Sequence, residues 1–353
     1  MRNYLLVDLN NLLHRARHVH TGDISTTSSM ALHIALNAMR QSWRRFKIDH
    51  VVICLEGHSW RKSVYKAYKA NRAETRALMS AKEIRDLEYV QEVFDSFIGF
   101  LREKTNATIL QSPNAEADDM IARWTQLHPH DMNYILSSDH DFYQLLSDNV
   151  KIYDGIKSLL ITNKGVFNEK EQPATFDKII TETLDNGKKK KVTKTFEHET
   201  PDPEYELFFK TVRGDSSDNI MSAYPGVREN GSSKKPGIKE AFNDRHNRGY
   251  DWNNFMLQEW DKLISIKDDG SREIQRVRVI DEYNTNLELI DLTRQPDEVK
   301  KEMDETILAA TSKSVPASRI GFDFIKFASN MNLVNIAKNP EDYANMFAKR
   351  YGK

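Results

Sequence analysis

The run Tyr4-Leu5-Leu6-Val7-Asp8 opens the chain with an apolar strand that ends in a carboxylate. Similar apolar runs recur up to about residue 155, separated by segments that have the apolar spacing of helices. They lie at 51–55, 107–110, 134–136 and 150–153. Strands that alternate with helices are typical of a parallel sheet with helices on both faces. The sequence therefore predicts an α/β fold with a central parallel sheet.

Composition limits the class of protein. The 353 residues, with 51 Lys and Arg against 52 Asp and Glu, are enough for two domains. The single cysteine, Cys54, excludes an intramolecular disulfide, so we expect a reducing, cytoplasmic compartment. There is neither a long apolar run nor a basic-then-apolar leader, so we expect no membrane segment. A net charge of −1 excludes nucleic-acid binding through overall charge but leaves local basic patches open.

The pattern changes after residue 153 and predicts two regions, 1–203 and 204–353, the second mainly helical. Within the first, residues 155–203 form a predicted insertion with a hairpin around Asn186-Gly187, a dipeptide that suits a tight turn. The four lysines at 188–191 are interpreted as the exposed hairpin tip. A supplementary phosphate contact is the less favoured interpretation of this tetralysine.

Acidic residues follow the predicted strands directly. Four segments carry them: Asp8; Glu56; Glu116, Asp118 and Asp119; Asp139 and Asp141. The carboxyl ends of parallel strands meet at one edge of a sheet, where ligands bind, so we expect these acids to lie together. Charges packed this densely are tolerated only with cations between them, and carboxylate oxygens select Mg²⁺ or Mn²⁺.

A fifth acidic group is Asp215 and Asp218, three residues apart and therefore predicted to share a face of a first helical turn. Two divalent ions held by such acids serve in-line phosphoryl transfer. Each motif alone has a simpler explanation, because acids often cap helices or stabilise turns. Their combination at successive strand ends favours the metal site.

A basic stretch lies between Ser59 and Arg85, with eight Lys or Arg and two Glu. Six of its residues are predicted to share one helical face: Arg61, Tyr65, Tyr68, Lys69, Arg72 and Arg76. Lys62 and Lys66 add to its charge. Cations interleaved with aromatic rings suit a single-stranded or frayed nucleic acid. A solvated helix face is the alternative interpretation.

Five motifs together resemble those of the structure-specific 5′-nuclease family, the flap endonucleases and 5′→3′ exonucleases. The layout is most similar to the ribonuclease H type of T-even phages. In the family's order, the motifs are Val7-Asp8-Leu9-Asn10, Tyr68-Lys69-Ala70-Asn71-Arg72, Glu116-Ala117-Asp118-Asp119, Ser137-Ser138-Asp139-His140-Asp141 and Arg213-Gly214-Asp215-Ser216-Ser217-Asp218-Asn219. They cover residues 1 to about 240.

The resemblance implies a PIN-like nuclease core that hydrolyses phosphodiesters at 5′ ends or flaps of DNA and RNA/DNA duplexes. It implies two Mg²⁺ ions, which Mn²⁺ can replace. The first would be held by Asp8, Glu56, Glu116, Asp118 and Asp139, and the second by Asp139, Asp141, Asp215 and Asp218. Asp119 completes the set of candidate metal ligands.

The basic stretch, with the helix after it, would form the family's helical arch over about 59–105. Lys69 and Arg72, with Arg61 nearby, would contact the scissile phosphate, and Tyr68 would stack on a base. The resemblance to the phage type also suggests primer removal in phage replication, within the cytoplasm of a bacterial host. A single-strand DNA-binding protein and a sliding clamp are the suggested protein partners.

Two departures from the family pattern stand out. Glu56 occupies a position where the family usually has Asp. The Gly-rich hairpin that binds duplex and potassium in the family is interrupted between Val227 and Pro236. Duplex phosphates would still be bound by four residues around this interruption: Arg228, Lys234, Lys235 and Lys239.

Three alternative interpretations explain part of this pattern. A Toprim centre would use Glu56, Asp139 and Asp141 but leave the other acids without a role. A phospho-aspartyl phosphatase needs a second Asp two residues after Asp8, where the chain has Asn10. A scaffold that binds branched nucleic acid through a degraded metal site would explain Glu56 and the interrupted hairpin.

Overall fold

The computed structural model describes residues 1–18, 22–183, 189–232, 234–266 and 271–352. Their strands are β1 Asn3–Asp8, β2 His50–Cys54, β3 Thr108–Leu110, β4 Met132–Leu136, β5 Val150–Asp154, β6 Leu159–Thr162, β7 Gly165–Phe167, β8 Thr175–Thr183, β9 Lys189–Glu197, β10 Glu259–Ile266 and β11 Arg272–Arg278. Hydrogen bonds join the seven strands β1 through β7 into one sheet. They also pair β8 with β9 and β10 with β11.

The helices are α1 Leu9–Arg17, α2 Ile24–Arg45, α3 Arg61–Val64, α4 Ala70–Ala77, α5 Ala81–Lys104, α6 Ala117–Leu127, α7 Pro203–Arg213, α8 Ile238–Asn243, α9 Tyr250–Met256, α10 Val279–Ile290, α11 Asp297–Thr311, α12 Ala317–Asn330, α13 Val334–Ala337 and α14 Glu341–Ala344. Two short 3-10 helices span His140–Leu145 and Asn345–Phe347. None of the helices in the described part of the chain is long and apolar enough to cross a membrane.

The chain folds into two compact units. The first unit consists of Met1–His58, Ser80–Pro201 and Gln295–Lys353, and the second of Ser59–Met79 and Asp202–Arg294. This division differs from the predicted boundary at 203/204, because residues 295–353 belong with the first unit and residues 59–79 belong with the second unit.

The central sheet of the first unit has the strand order β3-β2-β1-β4-β5-β6-β7. The first five strands in this order are parallel, and β6 and β7 are antiparallel additions at one edge. Val7 of β1 lies opposite Ile53 on one side and Leu136 on the other. Between β1 and β4 the chain order reverses, which makes this the topological switch point of the sheet. The predicted α/β fold is confirmed.

Alternation along β1 explains why helices cover both faces. Leu5 and Val7 are fully buried in the core that contains α2 and α5. Tyr4 points to the opposite face, where its ring meets Trp124 of α6 edge-on, with 5.2 Å between ring centroids. The middle of β1 is therefore apolar on both faces of the sheet.

The C-terminal helices complete the core of the first unit. Ile320, Phe324 and Phe327 form the buried stripe of α12. Phe327 stacks on Phe100 of α5, with 4.5 Å between ring centroids. An apolar stripe predicts that a helix is packed, but it does not say which core it packs against. For that reason, the sequence did not predict that residues 295–353 return to the first unit.

Two hairpins lie outside the central sheet. The predicted hairpin consists of β8 and β9, whose pairing runs from Thr175 opposite Glu197 to Thr183 opposite Lys189. Its predicted turn at 186–187 lies outside the described residues. The antiparallel pair β10 and β11 was not predicted, and Trp260 lies in a strand where a helix was expected. Arg276 pairs across the strands with Glu259 and Asp261. In sequence, such dense opposite charges look like those of an exposed helix.

Candidate active site

Asp8 and Asp139 are connected at the switch point by a serine. Asp8 ends β1 and accepts a hydrogen bond from the Asn11 backbone N–H at 3.2 Å. Ser137, directly after β4, donates its hydroxyl to Asp8 Oδ2 at 3.0 Å and accepts the Asp139 backbone N–H at 3.1 Å. Asp139 Oδ1 in turn accepts the Asp141 N–H at 3.0 Å. No role was predicted for Ser137 from sequence, although its position directly after the strand next to β1 was the available signal.

The acids at the start of α6 are partly engaged as helix caps. The Glu116 N–H donates to Asp119 Oδ2 at 3.1 Å, and Glu56 Oε2 accepts the Ala117 N–H at 3.2 Å. Carboxylates at a helix N-terminus satisfy unpaired amides and favour the helix dipole. Asp119 is fully buried, so its side chain faces the helix backbone and not an open edge. Helix capping therefore accounts for part of this acidic group, in line with the alternative interpretation of such motifs as caps.

Electrostatic repulsion shows which carboxylates are neighbours. Burial, together with the charges of Glu56 and Asp139, raises the pKa of Asp8 to about 7, against the lowering effect of its hydrogen bonds. Burial also raises the pKa of Asp118 well above its usual range, with further contributions from Asp8, Glu56, Asp139 and Asp141. A cation placed among these side chains would relieve that repulsion.

The donor set of this edge fits a hard divalent cation. All five neighbouring groups are carboxylates, and Mg²⁺ and Mn²⁺ prefer such oxygen ligands. No group of three or more His, Cys, Asp or Glu side chains in the described ranges is already close enough to hold a metal. The acids therefore affect one another electrostatically, but the described side chains are not yet at the mutual distances of metal ligands.

Asp215 and Asp218 belong to the second unit and lie in a closed loop, not in the predicted first turn of a helix. The Asp215 N–H donates to the Ile220 carbonyl at 2.9 Å, and the Ile220 N–H returns the bond at 2.7 Å. Gly214 opens the loop at φ 71°, and a Cβ there would lie 2.5 Å from the Ile220 carbonyl oxygen. Only glycine fits this approach without strain.

Both carboxylates of this loop already have cationic or hydroxyl partners. Lys210 Nζ lies 2.8 Å from Asp215 Oδ2. Burial opposes ionisation, but the hydrogen bond and charge of Lys210 prevail and lower the pKa of Asp215 to about 2. Tyr68 donates its hydroxyl to Asp218 Oδ2 and Arg72 donates to Asp218 Oδ1, each at 2.9 Å. Lys210 is a further residue of this site that was not predicted from sequence.

The basic stretch does not form the predicted single helical face. The helix α3 ends at Val64, and Lys69 has the left-handed backbone conformation, φ 55°, before α4 begins at Ala70. The chain therefore turns between the first and second halves of the predicted face. Lys69 Nζ is 3.8 Å from Asp218 Oδ2, so its ammonium lies near the loop carboxylate.

Two predicted nucleic-acid contacts are buried side chains. Arg61 is 2% exposed and donates its Nε–H to the Leu289 carbonyl at 2.6 Å. Tyr68 is 4% exposed and packs with Ile220 and Leu289, so its ring does not present a face for base stacking. Tyr65 is half-buried. The exposed cations of this stretch are Lys62, Lys66, Arg72, Arg76, Lys82 and Arg85.

The interrupted hairpin is closed by one carboxylate. Glu240 Oε2 accepts the backbone N–H groups of Gly231 and Gly237, each at 2.8 Å. Lys239, exposed, pairs with Glu229 at 2.9 Å. The other predicted duplex contacts, Arg228, Lys234 and Lys235, are exposed.

An open parallel sheet with mutually repelling carboxylates at its switch point defines an α/β protein with an acidic ligand-binding edge. Residues 3–172 match the family described as 5′-3′ exonuclease, N-terminal resolvase-like domain. The bacteriophage T5 D15 flap endonuclease, solved as a pseudo-enzyme-product complex with DNA and metal ions, shares the fold with a TM-score of 0.54 and 18% identity over 88% of this chain and 100% of that one.

Curated relatives agree with this match. The chain is 26% identical to the flap endonuclease Xni of Psychromonas ingrahamii over 169 residues, which are 46% of this chain and 60% of that protein. It is 24% identical to DNA polymerase I of Caldicellulosiruptor bescii over 337 residues, 91% of this chain but 34% of the polymerase. The chain thus spans about a third to 60% of these relatives. The family match over residues 3–172 and the flap endonuclease relative favour a 5′-nuclease over the Toprim and phosphatase alternatives.

Proposed function

We propose that the protein is a divalent-metal-dependent 5′→3′ exonuclease and flap endonuclease. Its substrates are the 5′ ends and flaps of DNA and RNA/DNA duplexes, including RNA primers in phage replication, which would make it a ribonuclease H. The observation that carries the proposal is the mutual repulsion among the switch-point carboxylates in a chain whose residues 3–172 match the 5′-3′ exonuclease family.

The acidic edge of the first unit is proposed to hold the metal. The ligands are drawn from six residues: Asp8, Glu56, Glu116, Asp118, Asp139 and Asp141. When bound, Mg²⁺ or Mn²⁺ activates water and stabilises charge on the phosphodiester. Ser137 holds the Asp8 side chain and the Asp139 backbone in place, since its hydroxyl donates to the first and accepts from the second. A second ion involving Asp215 and Asp218 rests on the family resemblance alone.

Cations of the second unit are proposed to bind the substrate backbone. Arg72 is 59% exposed beyond its bond to Asp218, so its guanidinium can reach a phosphate. Lys69, beside it, would stabilise charge at the scissile phosphate. Contacts to other phosphates are assigned to exposed cations: Lys62, Lys66, Arg76, Arg228, Lys234, Lys235 and Lys239. A single-strand DNA-binding protein and a sliding clamp remain proposed partners from the resemblance.

The experiment is cleavage of two 5′-labelled substrates, a DNA flap and an RNA/DNA hybrid, in Mg²⁺ and in EDTA. Wild type is compared with Asp141→Ala, because Asp141 lies among the proposed ligands. We expect short labelled products or released flaps in Mg²⁺, and none in EDTA or with the variant. The ratio of rates on the two substrates measures the proposed ribonuclease H activity.

A matched control is Asp148→Ala, which removes an exposed aspartate paired with Lys164 at 2.9 Å. It should cleave like wild type. Tight binding to the flap without cleavage in Mg²⁺ or Mn²⁺ would instead support the scaffold with a degraded metal site. In that case, Glu56→Asp is the substitution to test for recovered activity.

A further inference from the structure

The hairpin of β8 and β9 is a two-stranded ribbon exposed on both faces. Of its 18 described residues, only Ile180, Glu182 and Val192 are half-buried, and the rest are exposed. Phe176 and Phe196 are 42% and 39% exposed. An isolated two-stranded ribbon is marginally stable in water. Such a ribbon projecting from a folded core presents its side chains to a partner.

Strand register places three lysines on one face of the ribbon. Lys178 lies directly opposite Lys194, and Lys190 lies opposite Glu182 on the same face. Glu182 pairs with Lys194 at 2.6 Å. Within the described residues, Lys178 and Lys190 have no acidic partner. Like charges directly opposite each other destabilise a strand pair, and a bound anion would remove this cost.

The same face carries aromatic rings at its base. Phe176 lies opposite Phe196, with 6.0 Å between ring centroids. Both are two residues along their strands from the lysine pair, so they point in the same direction. Half-exposed rings next to lysines have the composition of a single-strand binding surface, in which rings stack on bases and cations bind phosphates.

The base of the ribbon adjoins the acidic edge of the first unit. His198, the residue after β9, lines a cavity of about 130 Å³ together with Ser137, Ser138 and His140. Ser137 is the residue that bonds Asp8 and Asp139. The Phe176 ring contacts the His198 ring, with 4.9 Å between centroids. A strand that leaves the acidic edge on this side therefore meets the rings first and the lysines next.

The hairpin of β10 and β11 provides a comparison for the charges of the first ribbon. On β10 and β11, Arg276 pairs with Glu259 and Asp261, and Lys262 pairs with Glu282. Arg276 and Lys262 are thus paired within the protein, whereas no ion pair involves Lys178 or Lys190 among the described residues.

We propose that the face of Phe176, Phe196, Lys178, Lys190 and Lys194 binds a single-stranded segment of the nucleic-acid substrate. The rings stack on bases next to the acidic edge, and the lysines bind the phosphates that follow. Nine residues per strand give a ribbon of about 30 Å, which covers roughly five to nine nucleotides. The inference extends the proposed function and rests on it for the identity of the substrate.

The test measures binding of wild type and variants to the oligonucleotide (dT)20 in EDTA, by fluorescence anisotropy at several salt concentrations. Lys178→Ala/Lys190→Ala should weaken binding about tenfold and lower the salt slope by about 1.4, since each of the two lost phosphate contacts contributes about 0.7 on single strands. Phe176→Leu/Phe196→Leu should weaken binding about tenfold with an unchanged slope.

The matched control is Lys189→Ala/Lys191→Ala, which removes the same charge from the opposite face of the same ribbon. It should change binding less than twofold. Lys178→Arg/Lys190→Arg should bind like wild type, which separates loss of charge from misfolding. Equal weakening by the two alanine pairs, or preferential loss of blunt-duplex binding, would overturn the proposal.

Cleavage of a duplex with a recessed 5′ end in Mg²⁺ separates this inference from the proposed function. Ribbon variants should cleave this substrate at the wild-type rate and lose activity only on substrates with long 5′ flaps. If wild type cleaves neither substrate, the proposed function fails, while the (dT)20 comparison still decides whether the ribbon binds a single strand. Equal loss on both substrates would overturn the ribbon's role in flap binding.

Discussion

The acids of the first unit and those of the second have different electrostatic surroundings. Asp8 and Asp118, at the edge of the sheet, have other carboxylates as their charged neighbours, and their pKa values are raised. Asp215 and Asp218, in the second unit, have Lys210 and Arg72 as partners, and Lys210 lowers the pKa of Asp215. The charged neighbours that raise the pKa values of Asp8 and Asp118 are carboxylates, whereas the protein supplies cationic partners to Asp215 and Asp218.

This difference separates two kinds of acidic motif that look alike in sequence. Both groups contain closely spaced aspartates preceded or followed by serine. Only the three-dimensional surroundings show that one group repels itself and that the other is neutralised. A cation is therefore needed most at the switch point.

The largest expected effect comes from removing one acid of the repelling group. Asp139→Asn takes away a proposed metal ligand but keeps a side chain of the same size, so the backbone bond to Ser137 remains. We expect flap cleavage in Mg²⁺ to fall roughly a thousandfold or more, because charge on the phosphodiester loses its stabilisation. Single-turnover cleavage at saturating enzyme measures this loss.

Binding of the flap in EDTA provides the control for that variant. Asp139→Asn should bind at least as tightly as wild type, since it carries one negative charge fewer. Cleavage within tenfold of wild type would show that the edge acids do not perform the chemistry, and the comparison between the two acidic groups would lose its functional meaning.

The strand-and-helix order of the core and the place of its acids were predictable from sequence. Apolar runs ending in acids specify a parallel sheet and its ligand-binding edge, and alternation along β1 explains the two covered faces. The partners of each acid were not predictable, because Tyr68, Lys210 and Ser137 reach them through the tertiary fold. The return of α12 to the first unit was hidden for the same reason.

The basic stretch shows the limit of periodicity most clearly. Spacing alone placed Arg61 and Arg76 on one helical face, but the left-handed turn at Lys69 separates α3 from α4. A lysine in that conformation has no sequence signature, and its cost is offset by contacts such as its N–H bond to the Asp218 carbonyl at 2.9 Å.

The next effect in size concerns the serine that joins the two edge segments. Ser137→Ala removes the hydroxyl that bonds Asp8 and accepts from Asp139. We expect cleavage at limiting Mg²⁺ to fall 10- to 100-fold, as is typical when a residue that orients metal ligands is lost. A Mg²⁺ titration should show that more metal is needed and that affinity for the flap is unchanged.

Ser138→Ala is the matched control, because Ser138 is the neighbouring serine and bonds Asn11 at 3.1 Å instead of an acid. It should need no more Mg²⁺ than wild type. Equal Mg²⁺ requirements for both serine variants would contradict the positioning role of Ser137.

Stability in EDTA should respond with opposite signs in the two acidic groups. Asp118→Asn removes a repelled charge and should raise the unfolding midpoint, whereas Asp218→Asn weakens the bonds from Tyr68 and Arg72 and should lower it. Each shift should be roughly 2 to 4 °C, or about 1 kcal/mol. Thermal denaturation followed by circular dichroism measures both, and shifts of the same sign would refute the electrostatic distinction.

The smallest expected effect comes from removing the cationic partner of Asp215, which should leave this acid with an uncompensated charge. The Asp215 side chain is only 15% exposed, and Lys210→Met removes its ammonium partner. This substitution should lower the free energy of unfolding by about 1 kcal/mol. Asp215→Asn in the same chain should recover part of that loss, because the uncompensated charge is then absent. A double-mutant cycle from urea denaturation in EDTA gives the coupling. Strictly additive losses would mean that Lys210 does not neutralise Asp215, whereas recovery would show that the second group lacks repulsion only because this lysine is present.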